Sequence, residues 1–242
     1  GPGSELKEIS VPINLTKEGK YKWFVKVSDG YMTAAVKSEV FSFELDKTKP
    51  DIFFNIYEKD GSEVIEATNT RKLEIRDLLV SSDTVKIVLK EENKILNTIS
   101  TPPFRKSTIN LSHEEGMKEI KLFAYDKAGN INSLTKKIIF DVTSPPAPGD
   151  LKLIGGSNQL KVNWDSVSNG NKTDKGSKIK GYILSYIRKE TDEKFNDIFI
   201  SQSVKPSYKI NDLKDNEELV ISVKTVDKAG NISDEIKILD FI

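Results

Sequence analysis

Apolar residues recur at every second position in several stretches of this chain, and the same stretches return at near-constant spacing. Ile120, Leu122 and Ala124 alternate with polar residues, as do Ile221, Val223 and Thr225, and earlier Tyr21, Trp23, Val25 and Val27. A period of two marks a strand with one face buried, and no segment sustains the 3.6-residue period of an amphipathic helix. The pattern predicts strands in the middle of the chain near 51–57, 71–77, 84–90, 95–99, 105–111, 117–126 and 134–142. It predicts a second set near 150–154, 159–165, 179–188, 197–204, 207–211, 218–227 and 235–241. Before both sets it predicts three strands, near 9–15, 21–28 and 36–45. Seven short strands at this spacing are the signature of a β-sandwich, and almost no helix is expected.

Two landmarks repeat in step with the strands. Asp126-Lys127-Ala128-Gly129-Asn130-Ile131 recurs unchanged as Asp227-Lys228-Ala229-Gly230-Asn231-Ile232, 101 positions later. Ser28-Asp29-Gly30 closes the first alternating run in the same register. Asp46-Lys47-Thr48-Lys49-Pro50 and Asp141-Val142-Thr143-Ser144-Pro145 share Asp-x-Thr-x-Pro at the end of a strand. Proline lacks the amide a ladder needs and biases its predecessor toward extended backbone, so each copy ends one unit and leads into the next. The expected organisation is a tag remnant at 1–4, the C-terminal part of an incomplete module at 5–46, an immunoglobulin-like sandwich at 47–142 and a further module at 143–242. Three strands alone leave a sheet face uncovered, so the first module is expected either to begin mid-domain or to be completed by a strand from elsewhere.

Residues 145–242 resemble a fibronectin type III domain. The resemblance rests on the Pro145-Pro146-Ala147-Pro148 lead-in, Leu160-x-Val162-x-Trp164, Gly181-Tyr182-x-Leu184-x-Tyr186, Tyr208-x-Ile210-x-x-Leu213 and Val223-x-Thr225-Val226-Asp227. It implies that Trp164 is the large core residue of the second strand. The tyrosine that this family places near the start of the penultimate strand is replaced by Leu219, so its corner hydrogen bond is expected to be missing there. Tyr21 occupies that place in the N-terminal fragment. The middle module lacks an equivalent of Trp164 and resembles bacterial immunoglobulin-like domains in the broader sense. The fold class expected is all-β, a tandem array of immunoglobulin-like sandwiches.

Composition narrows the functions. The 37 basic and 37 acidic residues cancel, which removes the electrostatic footprint of a nucleic-acid binder. No apolar run approaches the roughly 20 residues that span a bilayer, so no membrane insertion by this stretch is expected. With no cysteine there is no disulfide framework, thiolate nucleophile or thiolate zinc site. Abundant Lys, Ile and Asn suggest a low-GC bacterial genome, and export to the cell surface, periplasm or medium is the expected location.

Candidate chemistry is sparse. The single histidine, His113, sits in a turn, and a hydrolase triad would need it held by a carboxylate and facing a nucleophile. The pairs Glu91-Glu92, Glu114-Glu115 and Glu217-Glu218 are expected to be surface charge rather than a glycosidase pair. Asp and Asn in the repeated hexapeptide could suit calcium but supply too few oxygens, and turn formation is the simpler role. No enzyme, cofactor or metal is therefore expected. The long polar loop 166–177, with Asn169, Asn171, Lys172 and Asp174, would lie near Lys228 and Asn231, and these six are the candidate binding residues. The expected function is that of spacer modules in a larger exported protein, with a monomeric chain. The alternative is an adhesion module that recognises a host or matrix protein, or a polysaccharide, through loops at one end of a sandwich.

Overall fold

The computed structural model describes residues 8–28, 36–168 and 176–241. Among these there is no helix, and nineteen strands carry the fold. Two separate hydrophobic cores form, each between a pair of sheets whose strands pair antiparallel but for one short edge strand, so the architecture is tandem β-sandwich.

In the middle module β5 (Ile52–Tyr57), β7 (Lys72–Val80) and β10 (Ser107–Asn110) form one sheet in the order β10-β7-β5. The facing sheet runs β6-β12-β11-β8-β9, from β6 (Ala67–Thr68), β8 (Thr84–Glu91), β9 (Lys94–Ile99), β11 (Gly116–Asp126) and β12 (Ile131–Phe140). Phe54, Ile56, Leu73, Ile75 and Ile109 on the first sheet meet Ile87, Leu89, Ile120, Leu122 and Phe140 on the second, all essentially removed from water. Each such side chain contributes about 1.5–3 kcal/mol on burial, enough together to hold two sheets without a disulfide. The short edge strand β6 runs parallel to β12, pairing Ala67 with Ile139 and Thr68 with Phe140. Two residues offer no periodicity, which is why alternation does not reveal this strand.

The last module has the sheets β13-β14-β17 and β16-β15-β18-β19. Their strands are β13 (Gly149–Gly156), β14 (Gln159–Asp165), β15 (Ile179–Arg188), β16 (Glu193–Ser201), β17 (Ser207–Asn211), β18 (Glu218–Asp227) and β19 (Ile232–Phe241). The smaller sheet has three strands and the larger four. Trp164 is 4% exposed and meets Tyr182 edge-on, with ring centroids 5.5 Å apart. Leu219 is fully buried and apolar, so the corner hydrogen bond is missing as expected.

The N-terminal segment pairs β1 (Gly19–Trp23) with β4 (Phe41–Leu45), and β2 (Lys26–Val27) with β3 (Val36–Lys37). Tyr21 does form the corner, its hydroxyl donating to the Lys17 carbonyl at 2.5 Å. Tyr21 stacks on Phe43 and Trp23 on Phe41 across the pair, yet Trp23, Phe41 and Phe43 remain more than two-fifths exposed. The strand expected near 9–15 does not form. Its apolar residues Ile9, Val11 and Ile13 are over 70% exposed, and without a neighbouring strand to receive its amides this stretch joins no ladder.

Candidate functional site

The two copies of the repeated hexapeptide fold into the same turn. In the first, the Asp126 carboxylate accepts from the Asn130 backbone amide at 2.8 Å and from Asn130 Nδ2 at 2.9 Å, while Gly129 N donates to the Asp126 carbonyl. In the second, Asp227 holds Asn231 at 2.9 and 3.0 Å, and Gly230 N donates to the Asp227 carbonyl. Gly129 and Gly230 have φ of +95° and +89°, a conformation that explains why glycine stands at this place in both copies.

Each turn also reaches outside itself. Asn130 Nδ2 donates to the Asp46 carbonyl at 3.1 Å, and Asn231 Nδ2 to the Asp141 carbonyl at 2.8 Å. Those two carbonyls belong to the Asp-x-Thr linkers that enter the respective modules. The linkers are held from the other side as well. Glu18 accepts from Lys47 N at 2.6 Å and from the Thr48 hydroxyl, and Glu115 accepts from Val142 N at 2.7 Å and from the Thr143 hydroxyl. Asp46 and Asp141 brace their own linkers by accepting from Thr48 N and Thr143 N. The sequence repeats therefore assemble into two copies of one joint. A glutamate at the start of one module's penultimate strand and an asparagine in the next module's last turn grip the linker between them.

The second joint has further ties. Ser177 N donates to the Asp141 carboxylate at 2.6 Å, Lys228 pairs with Glu66 across the modules, and Ala229 N donates to the Ser177 hydroxyl. Of the six candidate binding residues, Asn169, Asn171, Lys172 and Asp174 lie outside the described residues. Lys228 and Asn231 are brought together in the turn, and both are engaged within the chain, Asn231 being 9% exposed.

At the first joint the carboxylates of Asp46, Asp83 and Asp126 come within 4.8 Å of one another. They are the residues that could hold a cation, although three oxygens fall short of the six or more that calcium usually takes. The second joint carries Lys178 where the first has Asp83, each giving its carbonyl to the amide that follows the turn aspartate. The two joints therefore do not share this cluster. Burial pushes the Asp126 carboxyl up, but the Asn130 side chain and the amides of Asn130, Gly129 and Ala128 outweigh it and hold the group below its ordinary value. The stabilisation Asp126 gives its turn is therefore present above the unfolded carboxylate value and is lost as pH falls through the lowered folded value.

Two of the paired glutamates depart from the surface role expected of them. Glu91 is 4% and Glu217 3% exposed. Glu91 receives Ser112 N at 2.9 Å, the Ser112 hydroxyl at 2.5 Å and Lys118 Nζ at 3.3 Å. Glu217 receives Arg188 at 3.2 Å and Lys214 N at 3.0 Å. Each lies at the corner where the long strands end, and burial is possible there because every carboxylate oxygen finds a donor. The sequence did carry a signal for this pair. Lys118 stands in phase with Ile120, Leu122 and Ala124, so alternation places a lysine on the buried face and calls for an anionic partner. Glu92, Glu114 and His113 are exposed, and Glu115 is spent on the second joint.

No protein-family profile matches the chain, and no curated protein matches it. Solved structures similar to it include fibronectin(III)-like modules of Clostridium thermocellum CbhA, at 16% identity and a TM-score of 0.48, covering 80% of this chain and 93% of that one. The FN1–FN3 domains of chicken CNTN1 are similar at 17% identity and a TM-score of 0.45, covering 92% and 77%. Domains A168–A170 of titin are similar at 14% identity and a TM-score of 0.47, covering 92% and 74%.

Proposed function

We propose that these modules are non-catalytic spacers of a larger exported bacterial surface or periplasmic protein, built to hold their neighbours at set positions. The observation that carries this reading is the recurrence of one hydrogen-bonded joint at both linkers, with Glu18 and Asn130 at the first and Glu115 and Asn231 at the second. A module whose task were only to display a loop would not need both linkers gripped from two sides. The bonds to the glutamates are charge-assisted but exposed, so each contributes about 1 kcal/mol or less, and the grip comes from several acting together. Lys228 and Asn231, two of the residues considered for ligand binding, serve the joint.

The test is a pair of spin labels, one on the middle module and one on the last, with the inter-label distance distribution read by pulsed dipolar spectroscopy. The unaltered chain is expected to give one narrow peak. Glu115→Ala combined with Asn231→Ala is expected to broaden it severalfold while both modules still melt cooperatively, the last one lowered by about 1–3 kcal/mol because the buried Asp227 carboxylate loses the Asn231 side-chain donor. A distribution equally broad before and after the substitutions would reject the rigid spacer. Saturable binding on glycan or matrix-protein arrays would favour the adhesion reading instead.

A further inference from the structure

Lysine at position 136 breaks the pattern of its strand. In β12 the residues Leu134, Ile138 and Phe140 face the core, and Lys136 lies in phase with them, directly opposite the fully buried Ile120 of β11. Its ammonium lies 5.8 Å from the ring centroids of both Phe53 and Phe54 and donates to Asn55 Oδ1 at 2.5 Å. Asn55 is on β5, in the opposite sheet, 81 residues away. The other side of the same amide is also held, since Asn55 Nδ2 donates to Asp77 Oδ2 at 3.3 Å and the Tyr57 hydroxyl donates to that oxygen at 2.5 Å. Asp77 adopts φ of +52° inside β7. It sits where the β5–β7 pairing shifts register, the mark of a β-bulge, which re-aims a side chain.

An amine, a primary amide and a carboxylate in a row are the components of a transamidation. We propose that Lys136 and Asn55 join in an intramolecular amide bond, with Asp77 as the proton carrier. The lysine ammonium gives a proton to Asp77, directly or through water, and the free Nζ attacks Cγ of Asn55. Attack places a negative charge on Oδ1, and as its lone pair re-forms the carbonyl the C–Nδ2 bond breaks, its electrons leaving with Nδ2. The departing nitrogen takes the second proton of Nζ and the one held by Asp77, and leaves as ammonium. The balance is one lysine ammonium and one asparagine amide in, one secondary amide and one ammonium out, with Asp77 returned to its carboxylate. Asp77 lies on the exposed side, which gives the ammonium a path to water. The Tyr57 hydroxyl, whose pKa is raised first by its bond to Asp77, stays a donor and holds the carboxylate on the amide.

The product would tie the first and last long strands of the middle module, which lie in different sheets, so that tension entering at one linker and leaving at the other passes through a covalent bond. This goes beyond the spacer reading, and the two fail separately, because the joint measurement does not depend on the cross-link.

The experiment is intact-mass spectrometry of the purified chain, followed by tandem spectrometry of its tryptic digest. The expected result is a mass about 17 Da below that of the sequence, the loss of one ammonia, and a branched peptide linking Lys136 to Asn55. Lys136→Ala and Asn55→Ala are each expected to show no loss from their own sequence masses, and Asp77→Ala to form the bond about 100- to 10,000-fold more slowly, the range typical for losing a general acid–base group. An unaltered chain at its full sequence mass overturns the proposal. So does a 17 Da loss that persists in Lys136→Ala, which would mean closure of an asparagine onto its own backbone.

Discussion

Replacing Trp164 with alanine is expected to lower the stability of the last module by about 3–5 kcal/mol. The indole is 4% exposed, lies in the core between the sheets, and makes an edge-on contact with Tyr182. The contact alone adds about 0.5–1.5 kcal/mol beyond the area buried. Since a domain's whole stability is about 5–15 kcal/mol, the substitution removes a large share of it. Trp164 Nε1 is buried with no protein partner, which already offsets part of the packing gain. Trp164→Phe keeps a ring and drops the unpaired donor, so it is expected to cost less than half as much as alanine. Calorimetry separates the modules: the transition of the last should fall while that of the middle, whose core is distinct, stays in place. A melting temperature within a degree of the unaltered chain would contradict the core role given to Trp164.

The second large effect lies at the buried pair of the middle module. Glu91→Ala leaves the Lys118 ammonium, 6% exposed, without its counter-charge, and breaking such a pair from one side typically costs about 3–5 kcal/mol. Lys118→Ala is expected to cost less, because Ser112 still gives Glu91 two hydrogen bonds. Replacing both, as Glu91→Leu with Lys118→Met, is expected to be close to neutral, since it abolishes the desolvation cost along with the attraction. Chemical denaturation of the four proteins checks the order. The pH dependence has a definite sign. Burial pushes the Glu91 carboxyl up, but the side-chain and backbone bonds from Ser112 and the charge of Lys118 together bring it below its ordinary value. Its contribution is thus full above the unfolded carboxylate value and fades as pH falls through the lowered folded value. The Glu91→Leu/Lys118→Met protein should lose this part of its acid sensitivity.

What could be read from the sequence was what depends on near neighbours in the chain. Alternation around Ile120 and Ile221 placed the long strands, and the Leu160-x-Val162-x-Trp164 run placed the principal aromatic of the last core. Features that depend on a distant partner were not legible in the same way. Ile9, Val11 and Ile13 alternate as a strand should, but alternation describes a face and says nothing of whether a neighbour offers hydrogen bonds. Glu91 reads as surface charge until Lys118, 27 positions on, is seen on the buried face of β11. Asn130 and Asn231 were visible as turn residues. Their hold on Asp46 and Asp141 spans 84 and 90 positions, and only the recurrence of both landmarks once per module hinted that turn and linker belong together.

The joint has a consequence for how such chains grow. The first two units leave with a glutamate and an Asp-x-Thr segment, and the last two receive their predecessor with an Asp-x-Ala-Gly-Asn turn, so the gripping residues match at both seams although the outer ties differ. Removing or duplicating the middle unit, which carries both parts, would bring together an exit and an entrance that already fit. Length can then change in steps of one module without a new interface having to evolve, as in arrays whose energetics are set by nearest neighbours.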